Sequence, residues 1–400
     1  MPKTTVFRLF RPAVLLAAAA LLHAAASAEP PTVKFSKRCL MIDRNEGCAI
    51  ADVNKDGKPD IIAGTHWYAA PDFIPRPLRE IPEMKGKEYL STNGDHVVDV
   101  DGDGWPDVVS IGFLEPEMCW YKNPGPVGLK RGWLWERHVL KVTDTRNEAI
   151  ELRDLDGDGV PEIFVNCWDK KAPLVIWKFA KTPDGQPTLE KKVIGREGGG
   201  HGYAFGDVNG DGREDILCEI GWYERPAGDI YAHPWKLHPE TALPGVACPF
   251  IVAPLTDSGR NDLIWAKGHD FGIYWWEQGP PKSDGTTTWS EHLIDKSWSQ
   301  AHCLAWADID GDGQPELITG KRFRAHGDGD PGGKELPGLY YYKWDKAGRK
   351  FTRHTIAVPG EGIGGGLQIR VADLNGDGRP DIVVAGKSGT WLLLNEGLRN

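Results

Sequence analysis

Six nine-residue segments of this 400-residue chain carry oxygen-bearing side chains at positions 1, 3, 5 and 9, with glycine at position 6. They comprise Asp52, Asn54, Asp56 and Asp60; Asp99, Asp101, Asp103 and Asp107; Asp154, Asp156, Asp158 and Glu162; Asp207, Asn209, Asp211 and Asp215; Asp308, Asp310, Asp312 and Glu316; and Asp373, Asn375, Asp377 and Asp381. Alternate carboxylates on a tight loop point inward at one cation, the glycine allows the turn, and the last carboxylate closes an all-oxygen shell that suits calcium. An EF-hand is excluded because position 12 is never Glu and β-branched runs such as Ile61-Ile62 and Val108-Val109 follow the loop. A seventh copy has Pro254, Thr256 and Ser258 where the ligands should be, and no cation is expected there.

A second chemistry emerges six residues before each loop. Those positions hold Glu46, Asn93, Glu148, His201, Cys248, His302 and Leu367. Inner positions of a packed ring are ordinarily small and apolar, so two imidazoles and two carboxylates at equivalent places suggest a site. His201 and His302 with Glu148 or Glu46 form a donor set suited to a catalytic Zn2+ or Mn2+. Fourteen residues after each loop start lie His66, Phe113, Trp168, Gly221, Gly268, Arg322 and Lys387, with His269, Lys321 and His326 close by. His66 or His269 could serve as a base, and Lys321 or Arg322 could bind a substrate carboxylate or hydroxyl. Trp67, Trp168 and Trp222 are expected to wall the pocket for a sugar.

The elements that must position these groups follow from the repeat. Successive copies begin 47, 55, 53, 47, 54 and 65 residues apart. Each copy reads as strand, calcium loop, strand, turn, aromatic strand and outer strand, as in Cys119-Trp120-Tyr121 and Tyr340-Tyr341-Tyr342. Four strands per unit, seven times, predicts an all-β seven-bladed β-propeller. The last unit lacks a fourth strand, and Lys34 to Leu40 resembles the outer strands of other units, so the N-terminal segment should close the ring. The calcium loops then share one face, and the histidine ring occupies the other. The long interval before the last copy comes from an insertion between Lys321 and Leu339, expected to fold over the channel mouth and bring His326 or Arg324 towards His302.

These repeats resemble the FG-GAP and VCBS repeats of integrin-α-type propellers, in which such calcium loops are structural. The stretches GHGYAFGDVNGDGREDILCEIGWYE from Gly200 and ELITGKRFRAHGDGDPGG from Glu316 are similar to the propeller part of aldos-2-ulose dehydratase and related secreted propellers. That similarity implies metal-assisted β-elimination, a lyase or dehydratase reaction, on a keto-sugar or uronate. The alternative is a non-catalytic platform that binds a glycan or a protein.

The remaining features set the context. Lys3, Arg8 and Arg11 precede an apolar stretch, Ala13 to Ala26, too short to span a bilayer, and Ala26-Ser27-Ala28 fits signal cleavage. A mature domain over 29–400, secreted or periplasmic, is expected. The net charge of -10 argues against nucleic acid, and six divalent ions would neutralise most of the acidity that remains once the basic leader is lost. Seven cysteines form no CxxC pair, so most read as small hydrophobes, with room for one or two bridges.

Overall fold

A computed structural model describes residue 1 and residues 31–81, 90–112, 116–144, 146–167, 169–284 and 286–399. The leader, Phe113 and Trp168 lie outside the described residues. Seven sheets of four antiparallel strands form the ring. In the first six, strand order follows chain order from the centre outwards, as in Ala301–Ala307, Glu316–Lys321, Leu339–Asp345 and Lys350–Ala357 of the sixth blade. The seventh contains Ile369–Ala372, Asp381–Ala385 and Thr390–Arg399, and its outer place is taken by Thr32–Met41, which pairs antiparallel with Thr390–Arg399. The ring therefore closes as expected, and the closure covers a strand edge that would otherwise be open for pairing.

The cores lie between and within blades. Second strands are buried from end to end, as in Asp60–Ala63 and Asp381–Ala385, which explains their β-branched runs. The aromatic third strands pack against neighbouring blades; Trp222, Trp275 and Tyr342 all belong to one cluster spanning the fourth, fifth and sixth blades. Outer-strand histidines complete this packing. Trp120 and His138, Trp222 and His238, Trp275 and His292, and Tyr341 and His354 are direct cross-strand partners. Their rings stack with centroids 4.0 to 4.7 Å apart, a pairing that stabilises adjacent strands. Trp67 and Trp222 are each at most 3% exposed. That corrects the expectation that they wall a sugar pocket: both are consumed by core packing.

Each nine-residue loop joins an inner strand to the second strand, so the six acidic loops share one end of the ring. The position-9 carboxylate frames its loop. Asp107 accepts from the Val100 N–H at 3.0 Å and from the Asn123 N–H at 2.8 Å, and Asp215 and Asp381 repeat the pattern. The degenerate seventh copy keeps part of this frame, since Asp262 accepts from the Gln278 N–H at 2.8 Å. Framing the turn and offering ligands are thus separable tasks. All but Cys39 of the seven cysteines are buried.

Candidate metal centre at the channel mouth

Inner strands run from the mouth towards the acidic loops, and second strands return. Residues just inside or ahead of an inner strand therefore meet residues at the end of a second strand. His302, on Ala301–Ala307, is fully buried, and His201 precedes Tyr203–Gly206. His269 lies in the turn between Asp262–Ala266 and Phe271–Gln278. Three imidazoles converge: His201 Nε2 is 3.0 Å from His302 Nε2 and 2.9 Å from His269 Nε2. Glu148, at the start of the third blade, places Oε1 3.7 Å from His201 Nε2 and 3.9 Å from His302 Nε2. Such an approach requires a neighbour without a side chain. A Cβ on Gly268 would lie 2.9 Å from His201 Cε1 and 3.5 Å from His302 Cδ2, so glycine is needed there for close approach.

Hydrogen-bond partners fix the proton positions. His201 Nδ1 lies 2.6 Å from the Val246 carbonyl, which can only accept, so Nδ1 carries the proton and Nε2 a lone pair. His269 Nδ1 donates to Asp330 Oδ2 at 2.8 Å, with the same consequence. Two lone pairs then face each other at 2.9 Å. Burial holds His201 in its neutral form, with a pKa of about 4, and burial followed by His201 and Arg322 lowers His269 to about 3. Protonation is therefore a poor remedy for the repulsion, whereas a divalent cation held by these residues would relieve it. An Nδ1–H bound to a carbonyl or carboxylate also orients a metal-ligating imidazole. The mixed imidazole and carboxylate donor set fits borderline Zn2+ and also accommodates the harder Mn2+.

The insertion after Lys321 reaches this place. Asp330 accepts from His269 with one oxygen and from His326 Nδ1 with the other, at 2.9 Å, and the two rings stack 4.6 Å apart and 2° from parallel. Against the cost of burial, these bonds hold the Asp330 carboxyl below its usual range. His326 thus meets His269 rather than His302, while Arg324 turns to Asp328 at 3.1 Å. Asp330 was not singled out in the sequence; its spacing of four residues from His326 in the run HGDGD is the signal that could have found it.

Other candidates are distributed differently. Glu46 does not join the cluster but faces Arg322, with Nη1 to Oε1 at 3.7 Å. Arg322 and Lys321 are 3% and 2% exposed, and Lys321 Nζ is spent on the Gln300 side chain at 3.0 Å. Both therefore brace the mouth from beneath instead of presenting a charge to solvent. His66 bonds Thr65 at 2.9 Å and borders a cleft with Arg79 and Tyr121, in the company of none of the clustered histidines. Its expected place beside the site is not realised, because the first blade turns it towards the second.

At the opposite end, the loop donors suit calcium on chemistry. Asp99, Asp101 and Asp107, Asp154, Asp156 and Glu162, and Asp308, Asp310 and Glu316 each bring three carboxylate oxygens within 4.8 Å of one another. Glu162 Oε1 is buried without a hydrogen bond and faces only the Lys178 ammonium, 3.4 Å away, and burial raises Asp107, Asp215 and Glu316 to about 7. A hard cation would compensate these buried oxygens.

No curated protein matches this sequence. Among solved structures, similar folds include the V. cholerae biofilm matrix protein Bap1 (12% identity, TM-score 0.37, covering 92% of this chain and 84% of that one). Saccharomyces cerevisiae Sqt1 is also similar (10%, TM-score 0.41, 92% and 99%). So is the Photorhabdus luminescens Tc holotoxin pore (14%, TM-score 0.36), of which the match spans 16% while covering 91% of this chain. No helix among the described residues is long and apolar enough to cross a membrane. The FG-GAP-like repeat profile matches residues 99–165, 154–218, 255–319 and 327–384. With more than half of its length matched and seven blades closed in a ring, the chain belongs to the FG-GAP-like repeat family.

Proposed function

We propose that this chain is an exported, calcium-braced propeller with a divalent-metal centre at its channel mouth, and that it eliminates water from a keto-sugar or uronate. The observation that carries the metal centre is the face-to-face approach of two imidazole lone pairs, on His201 and His269, at 2.9 Å. The substrate class rests on the resemblance of the segments from Gly200 and Glu316, and those segments supply His201, His326 and Asp330.

His201, His269, His302 and Glu148 would hold the ion. When bound, it would supply a Lewis acid for a carbonyl oxygen. The chain's own groups supply the proton transfers. With Nδ1–H given to Asp330, His326 keeps a lone pair on Nε2 and is half-exposed beside the ligands. This assigns the base to His326, since His269 faces the other imidazoles. His326 takes the proton from the carbon next to the carbonyl, the C–H electron pair moves into the C–C bond, and the C–O bond at the next carbon breaks. The departing oxygen recovers the proton from the imidazolium and leaves as water. Asp330 orients the base, and Arg322 contributes a positive field from below.

Turnover of 2-keto and 3-keto sugars and of uronates, followed by the absorbance of the unsaturated product, tests the proposal on Zn2+- or Mn2+-loaded protein. His201→Ala and His302→Ala should abolish it; unchanged turnover in both would sink the catalytic reading. The burial of Trp67 and Trp222 favours a second reading, a binding platform without chemistry. An ion held at the mouth with no turnover of any of these substrates would select it.

A further inference from the structure

The six acidic loops divide into two kinds by a rule that the repeat itself does not require. Position 3 is Asp in the loops starting at Asp99, Asp154 and Asp308, and Asn in those starting at Asp52, Asp207 and Asp373. In each Asp loop the third strand sends in a lysine. Lys122 pairs with Asp101 and, at 2.8 Å, with Asp103. Lys178 pairs with Asp156, with Asp158 at 3.0 Å and with Glu162 at 3.4 Å. Lys343 pairs with Asp310 and, at 3.0 Å, with Asp312.

The strand registers align these lysines. Tyr121, Trp177 and Tyr342 each pair with the residue after position 9, and the lysine follows directly. In the Asn loops the same register leads to Ala69, Glu224 and Leu394. There a basic residue stands instead at position 7: Lys58, Arg213 and Arg379, where the Asp loops have Trp105, Val160 and Gln314. Among the loop carboxylates Arg213 and Arg379 touch that of position 5, and each is tied back to a carbonyl, of Arg225 just past the third strand at 3.0 Å and of Asn395 within it at 2.8 Å. Charge at position 3 and the place of the basic residue thus change together in all six loops, with the ion pair itself formed in five.

The two sources differ in place as well as in origin. A lysine ammonium bridging positions 3 and 5 stands among the oxygens that would ligate calcium, whereas the tethered guanidinium flanks them. We propose that Lys122, Lys178 and Lys343 are built-in competitors for calcium, so that the loops form three tight sites, with Asn at position 3, and three weaker sites that calcium fills only by displacing an ammonium. This rests on the calcium reading of the loops. It makes the ring's calcium response two-stepped: the second, third and sixth blades keep neutralised loops when calcium is scarce, and the first, fourth and seventh depend on the ion.

The test counts calcium bound to the full-length protein, stripped by chelator, against free calcium concentration. Wild type should fill three sites and then three more. Lys122→Met, Lys178→Met and Lys343→Met together should tighten the second step about tenfold or more, as expected for removing a unit charge within ~5 Å of a divalent ion. Should that variant fail to fold, Asn209→Asp with Glu224→Lys rebuilds the lysine arrangement in the fourth blade and should move one site from the first step to the second. Six equivalent wild-type sites, an untouched second step in the lysine variant, or an unmoved site in the rebuilt one would overturn the proposal while leaving the calcium reading intact. No bound calcium at all would overturn that reading itself.

Discussion

Asp330→Asn probes the mouth through a single atom. The carboxylate accepts from His269 Nδ1 at 2.8 Å and from His326 Nδ1 at 2.9 Å, and so sets both imidazoles to the tautomer with a free Nε2. An amide of the same shape has one accepting oxygen and one donating NH2. One of the two histidines must then accept at Nδ1 and carry its proton on Nε2. Where that is His269, the nitrogen facing His201 can no longer bind a cation; where it is His326, the base is lost. Loss of an outer-shell partner of this kind costs about 10- to 100-fold in metal affinity or activity. Zn2+ affinity, measured by competition with a chromophoric chelator on calcium-saturated protein, should fall within that range, and turnover should fall with it. The melting curve should hardly move, since Asp330 lies on the insertion and outside the blades. Affinity and turnover both unchanged would refute the tautomer argument.

Two predictions concern the scaffold. Burial holds His96 at about 4, well below its ordinary value, beside Asp95, Glu151 and Arg370; the unfolded chain therefore binds the extra proton first, stability falls as pH drops from about 6.5 to 4, and the shift corresponds to about 3 kcal/mol. Denaturant titrations of wild type and His96→Gln should show a stability difference that changes by about this amount across the window; a pH-independent difference would contradict it. Arg79 and Asp95 form a fully buried pair with both carboxylate oxygens bonded, at 2.7 and 2.8 Å, so Arg79→Met should strand a buried carboxylate and cost about 3–5 kcal/mol by the same titration. A loss under 1 kcal/mol would mean that water reaches Asp95.

The repeat made the ring legible because every copy carries its own turn, and a fixed offset from each loop reaches an equivalent place on every blade. His201, His302 and Glu148 were found that way. His269 was also visible, but its role was not: a base and a ligand differ by the direction of Nε2, which depends on Asp330 sixty-one residues away. Trp67 and Trp222 were misread because composition cannot distinguish a ring covered by its cross-strand partner, Arg76 or His238, from one facing a channel. Lys321 and Arg322 followed the offset correctly, yet burial beneath the mouth is a property of packing that no single-strand pattern shows. Lys122, Lys178 and Lys343 lay far from their loops in sequence and became meaningful only with the strand register.

In the proposed centre, His201, His269 and His302 would hold one ion. Calcium-saturated protein dialysed against Zn2+ and then analysed for bound metal should retain one zinc per chain, with the protons on His201 and His269 remaining at Nδ1 in NMR spectra of the imidazole nitrogens. His201→Ala should lose that zinc while the calcium content stays the same. Zinc retained in full by His201→Ala, or none retained by the wild type, would contradict the metal centre.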